Sequence, residues 1–173
     1  MNIEEKLLLG NTNYQKNIRD NISKTKLNEE LCNGQHPYAL IITCSDSRVI
    51  PEEIFSASLG ELFVIRSAGN VINDGELASI EYGLKHLHIQ YVLVLGHTSC
   101  GAVHAAIHNE EGDYLYPVLS RIKEAIGNSL DERECSILNA NKQVAYIKER
   151  FPWYQGDVKP ALYDIKTNKV TIL

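Results

Sequence analysis

The sequence predicts a single α/β domain over residues 1–173, with a mainly parallel central β-sheet flanked by helices and a last strand that runs antiparallel. Three observations predict it. Apolar runs of strand length recur as YALIITC (Tyr38 to Cys44), ELFVIRS (Glu61 to Ser67) and YVLVLGH (Tyr91 to His97), rich in β-branched and aromatic residues and without alternation. Segments with helical periodicity separate them. No Pro/Gly/Ser-rich linker, repeat or low-complexity run divides the chain, and 44% hydrophobic with 23% charged residues in 173 supply one ordinary core.

Taken in order, the three runs read as central parallel strands covered on both faces. After the first, Pro51-Glu52-Glu53 suits the first turn of a helix. Between the second and third, Asn73-Asp74-Gly75-Glu76 resembles a capping box, and Leu77, Ile80, Leu84 and Leu87 follow on one helical face. That segment is an amphipathic crossover helix. Asn109 to Tyr116 reads as the longest loop. Ile137, Ala140, Val144 and Ile147 repeat the helical spacing until Phe151-Pro152 stops it. ALYDI and VTIL around Asn168 read as a final strand or hairpin.

The formal charge is −5, from 17 Lys+Arg against 22 Asp+Glu, with no basic block, so nucleic acid and anionic membrane surface are not expected partners. Near the N-terminus, Glu4 and Glu5 stand where a signal peptide needs bases, and no stretch approaches the roughly 18 apolar residues of a spanning helix. A cytoplasmic location is expected. In such a reducing compartment Cys32, Cys44, Cys100 and Cys135 are candidates for core residues, metal ligands or nucleophiles rather than disulfides. A thiol-redox role is disfavoured because no Cys-x-x-Cys pair occurs.

Two of the strands end in polar clusters, Cys44-Ser45-Asp46-Ser47-Arg48 and His97-Thr98-Ser99-Cys100-Gly101. Ligands of parallel α/β sheets collect at such carboxyl ends. Cys44, His97 and Cys100 offer two thiolates and one imidazole, a donor set that suits Zn2+ and leaves a fourth tetrahedral position open, as a catalytic zinc requires. The helix dipole after Cys100 is expected to favour its thiolate, and Gly101 to let the turn pack closely. A buried Cys is commonly a small apolar core residue, but two such clusters at matching strand ends favour the metal. Asp46 and Arg48, next to a ligand, are placed to act on metal chemistry rather than as an ordinary surface pair.

Cys44-x-Asp46-Ser47-Arg48, Gly60-Glu61-Leu62-Phe63-Val64-Ile65-Arg66, Ala68-Gly69-Asn70, Ser79-Ile80-Glu81-Tyr82 and Gly96-His97-x-x-Cys100-Gly101 together resemble the β-class carbonic anhydrases, with 53 residues from Cys44 to His97. The resemblance runs from about Gln35 to Ala106 and more faintly through Leu162-Tyr163-Asp164. It implies one zinc per chain on Cys44, His97 and Cys100, with Asp46 accepting a hydrogen bond from the zinc-bound water and Arg48 keeping Asp46 ionised. It further implies substrate contacts at Gln35, Phe63, Ala68 and Tyr82, the last three lining an apolar carbon dioxide pocket that spans a dimer interface in relatives. The implied activity is reversible hydration of carbon dioxide to bicarbonate and a proton by a homodimer or a tetramer of dimers. Two thiolates donate more charge than imidazoles, which makes a neighbouring acceptor such as Asp46 more useful.

Ile41 stands where some relatives carry a Trp belonging to a regulatory bicarbonate pocket, although Arg66 of that pocket is present; this implies an open metal position at neutral pH. Ser67 replaces a common Asn, and Lys159-Pro160 stands where a Gly is usual. His104 and His108 read as a solvated helix face before they read as a proton shuttle. The rival readings are a hydrolase of carbon disulfide or carbonyl sulfide on the same scaffold, and a zinc-stabilised module without turnover. Only a module without turnover has no need of the Asp46-Arg48 pair.

Overall fold

The computed structural model describes residues 12, 13, 15, 16 and 31–173. The chain divides into two compact units, residues 1–35 and 36–173. In the first, residues 12, 13, 15 and 16 are helical, and a turn closes with the Gly34 N–H donating to the Leu31 carbonyl at 3.2 Å.

The second unit holds a five-stranded sheet. Its elements are β1 (Ala39–Cys44), α1 (Pro51–Ile54), β2 (Leu62–Ser67), α2 (Asp74–Lys85), β3 (Tyr91–His97), α3 (Gly101–Ile107), α4 (Tyr116–Ile126), α5 (Glu132–Arg150), β4 (Asp157–Asp164) and β5 (Lys169–Ile172). A 3₁₀ turn, Ala68–Asn70, follows β2 directly. The strand order is β2-β1-β3-β4-β5, parallel except for β5, which runs antiparallel to β4 as expected. Because the chain leaves β1 for β2 on one side and returns to β3 on the other, the order switches direction between β1 and β3. Crevices of α/β sheets form at such points.

Period-2 geometry divides the strand residues between two cores. Leu40 and Ile42 of β1, with Val92 and Val94 of β3, pack with Ile80 and Leu84 of α2 and Ala140, Val144 and Ile147 of α5. Ala39, Ile41, Leu93 and Leu95 face the other way, with Val49, Ala161 and Tyr163. At α2 the Asn73 N–H donates to the Glu76 carboxylate at 2.9 Å, so the capping box forms where the sequence placed it. The spacing of Ile137, Ala140, Val144 and Ile147 gives α5, which ends at Phe151.

Three expectations need correction. β2 is not central: it is an edge strand, and only Ile65 of its residues is buried. Its apolar content covers α2 on one face, which a run of Leu, Phe, Val and Ile does not distinguish from two-sided burial. β4 begins at Asp157, four residues before ALYDI, because Pro160 is tolerated inside it. The Pro160 carbonyl accepts from Leu173 on the β5 side, so its ring nitrogen faces the same way and no bond to β3 is lost. The third is α4, which the sequence reading leaves unassigned: it begins at Tyr116, where the expected loop ends, has Pro117 in its first turn, and buries Leu119, Ile122 and Ile126 on one face.

Among the described residues no helix is long and apolar enough to cross a membrane.

Ile80 is fully buried between α2 and the sheet. Ile80→Ala should lower unfolding stability by about 2–5 kcal/mol in denaturant titrations, against near-neutral behaviour for exposed Leu130→Ala; equal effects would show that this helix is not seated as described.

Candidate metal centre

Parallel pairing in register, from Leu40 with Val92 to Thr43 with Leu95, brings the carboxyl ends of β1 and β3 side by side. Cys44 is the last residue of β1 and His97 the last of β3, while Cys100 caps α3 three residues on. Their ligand atoms all lie within 4.8 Å of one another, and all three residues are buried. The Cys44 and Cys100 Sγ atoms are 3.9 Å apart. Two sulfurs on one tetrahedral zinc at about 2.3 Å each stand roughly 3.8 Å apart, so the spacing needs little adjustment.

The imidazole is prepared in the same sense. His97 Nδ1 lies 2.9 Å from the Thr98 carbonyl, which can only accept, so the ring proton belongs on Nδ1. Nε2 then carries a lone pair, is buried and has no hydrogen-bond partner. A ring 1% exposed whose Nε2 acceptor has no hydrogen-bond partner, in a group with two cysteine sulfurs, has the donor chemistry of a metal ligand.

The thiols divide the work unequally. Cys44 is pushed down to about 4, first by its hydrogen bond with Cys100 and then by His97 and backbone N–H groups, among them Gly69 at 3.3 Å. Cys100 is pushed up by that same Cys44 hydrogen bond and by burial. The expected dipole effect on Cys100 is present in the N–H groups of Ala102 and Val103, but burial beside a second thiol outweighs it. Gly101 does not serve close packing, since a Cβ there would meet nothing within 4 Å. The glycine that does is Gly69, at φ +60°, where a Cβ would come within 2.9 Å of Ile122 and 3.0 Å of Ala102.

Asp46 lies beside the cluster, outside the three-donor group. Arg48 holds it in a fork: Nε donates to Oδ1 at 2.9 Å, Nη2 to Oδ2 at 2.7 Å, and the Arg48 backbone N–H to Oδ1 at 2.9 Å. The guanidinium keeps the carboxyl well below the usual carboxylate range. Nη2 also donates to the Ser99 carbonyl at 3.1 Å, tying the two strand-end loops together. Arg66 secures the same loop by donating to the carbonyls of Cys44 and Asp46, at 3.2 and 2.7 Å.

Of the other nominated residues, exposed Ala68 is brought to the cluster by its bond to Gly69. Half-buried Phe63 pairs with Leu40, four residues before Cys44, so about 13 Å of strand separates it from that end. Tyr82 is 46% exposed with its ring centroid 6.1 Å from that of Phe63. Gln35 is exposed and belongs to the first unit. Exposed His104 of α3 and His108 at its C-terminal cap lie with tilted rings, centroids 4.0 Å apart, and His104 Nδ1 is 2.7 Å from the Glu132 carboxylate, as a solvated face would be.

The sequence profile of the carbonic anhydrase family matches residues 39–170, most of the chain. The chain belongs to the carbonic anhydrase family, in its β class. A carbonic anhydrase of Synechococcus elongatus is 49% identical over 98 residues, covering 53% of this chain and 34% of that protein. Carbonic anhydrase 2 of Mycobacterium tuberculosis is 45% identical over 101 residues, 56% of this chain and 49% of that one. The matches thus span half or less of these curated relatives. Among solved structures, a β-carbonic anhydrase of Aspergillus fumigatus superposes with a TM-score of 0.86 at 26% identity, covering 99% of this chain and 91% of that one. A tetrameric β-carbonic anhydrase of Sordaria macrospora gives 0.79 at 25% identity, with 98% and 95% covered.

Metal analysis should find one zinc per chain, largely lost in Cys100→Ala and in Cys44→Ala. Cys32→Ala and Cys135→Ala should keep it, since neither cysteine belongs to the cluster. Undiminished zinc in Cys100→Ala would refute the ligand assignment.

Proposed function

We propose that this chain catalyses the zinc-dependent, reversible hydration of carbon dioxide to bicarbonate and a proton. The observation that carries the proposal is the pairing of a buried Cys-His-Cys donor set with a carboxylate fixed beside it by a forked arginine. A purely structural metal site needs a closed ligand shell and no such neighbour. Zinc on three protein ligands would supply an acidified water at the remaining position, chemistry for which carbonic anhydrases are themselves the reference case.

The chain's own residues do the rest. Asp46 is ionised, and its oxygens retain acceptor capacity beyond the three N–H groups of Arg48. It accepts a hydrogen bond from the attacking water and so fixes which lone pair points at the substrate carbon. Arg48 prevents the carboxylate from rotating away and anchors it to the Ser99 carbonyl of the other loop. With its side chain 51% exposed against 16% for Asp46, Arg48 stands between the carboxylate and solvent. Cys44, His97 and Cys100 would hold the metal, and the proton released in the reaction passes to buffer.

Carbon dioxide is apolar and needs an apolar wall. Ala68 provides part of it within one chain, while Phe63 and Tyr82 lie away from the carboxyl end of their own β1. We assign them, with Gln35, to the pocket of a second copy, in a homodimer or tetramer of dimers. The exposure of Tyr82 and Tyr38 in the single chain supports this, because large aromatic surface left in water is a mark of association. The solved tetramer from Sordaria macrospora supports it from the side of the fold.

Asp46→Asn should retain zinc yet lose roughly 10²–10⁴-fold in kcat/KM for carbon dioxide hydration by stopped flow. A zinc-replete Asn variant at the parent rate would remove the role given to Asp46.

Light scattering on the active protein should report a dimer or tetramer. A fully active species of 19.4 kDa would overturn the shared pocket.

A further inference from the structure

Two amide side chains stand where α5 is otherwise apolar. Asn139 is 0% exposed and Gln143 2%, one turn apart, on the helix whose Ala140, Val144 and Ile147 enter the main core. Buried amides are costly unless every polar atom finds a partner. Here the partners form a chain. The Ile72 N–H donates to Gln143 Oε1 at 3.0 Å, Gln143 Nε2 to Asn139 Oδ1 at 3.1 Å, and Asn139 Nδ2 to the Gly69 carbonyl at 2.8 Å. The Gly69 N–H then donates to Cys44 Sγ at 3.3 Å.

We propose that Asn139 and Gln143 are positioning residues for the metal centre, holding residue Gly69 by its carbonyl so that its N–H, on the preceding peptide, addresses the Cys44 sulfur. The inference rests on the reading of Cys44, His97 and Cys100 as metal ligands. The segment needs an external hold because its single 3₁₀ turn is interrupted by left-handed backbone: Gly69 has φ +60° and Asn70 φ +50°. Its carbonyl and the Ile72 N–H therefore lack ladder partners, and α5 supplies both. No side chain fits at Gly69, which is what lets a backbone N–H approach a buried sulfur. An N–H aimed at a sulfur fixes where its lone pairs point, so loss of the hold on Gly69 should let Cys44 drift from ligand geometry, speed release of a cation and alter the sulfur's spectrum.

The test compares zinc-loaded parent, Asn139→Leu, Gln143→Met and a control, Ser136→Ala. Ser136 is equally buried on α5, but its hydroxyl donates only to the Glu132 carbonyl of its own helix. Zinc release to a chelator should accelerate by about 10-fold or more in Asn139→Leu and less in Gln143→Met, while Ser136→Ala follows the parent. In cobalt(II)-substituted protein the sulfur-to-metal charge-transfer band should move in the same order. A merely structural role would lower thermal stability without moving either readout, and that result would overturn the proposal. Should the variants fail to fold, amide exchange on the zinc-loaded parent decides it: the Gly69 N–H should be protected, and exchange as fast as that of exposed Gly112 would overturn the relay. A parent that holds no zinc overturns the metal reading itself, whereas a zinc-holding parent with indistinguishable variants overturns the relay alone.

Discussion

The pairing of β1 with β3 is the constraint on which everything else depends. These strands are neighbours in the sheet only because the chain visits β2 in between, on the far side of β1. The register that puts Thr43 beside Leu95 is fixed by burial on both faces, since a slip of one residue would exchange the Leu40–Ile42 face for the Ala39–Ile41 face. Once the register is fixed, Cys44 and His97 end together. Thr43 Oγ1 adds a bond to the Leu95 carbonyl at 2.8 Å, one residue short of that end.

The local chemistry is a response to placing two thiols and an imidazole out of water. Burial alone would keep both sulfurs protonated and waste them as ligands. The hydrogen bond with Cys100 counters this at Cys44, helped by His97 and backbone N–H groups, and the Thr98 carbonyl turns the imidazole so that the lone pair is on Nε2. The charged neighbours stay at the rim, where Arg48 remains half in water and Asp46 is largely covered. That division places the desolvation cost on groups a cation can neutralise and leaves the guanidinium hydrated.

The Cys-His-Cys group that the structure gathers was legible in the sequence because Cys44 and His97 close strands whose apolar runs are unmistakable, and all three residues carry their chemistry in their side chains. The capping box at Asn73 was legible for the same reason. What escaped sequence reading acts through the backbone or across long separations. Beside the cluster, Gly69 rather than Gly101 is closely packed, as its positive φ and the approach of Ile122 reveal. The adjacent pair Gly69-Asn70, both tolerant of the left-handed region, was the available signal. Asn139 and Gln143 look like polar punctuation in a helix until their partners, about 70 residues away, are known. The edge position of β2 likewise depends on strand order, which apolar content does not encode.

Cys44 and Cys100 are separated by 56 residues, and that separation bears on the order in which the molecule assembles. Small zinc modules bring ligands from nearby positions and use the ion to organise an otherwise unfolded chain. Here the three donors meet only after β1 and β3 have paired across an intervening strand and two helices, a non-local contact whose loop-closure entropy must be met by apolar burial first. Such a centre is the product of folding and not its nucleus. A nascent chain therefore carries its thiols through a stage in which they are exposed and unpaired, when protection from oxidation depends on the surrounding solution rather than on the fold.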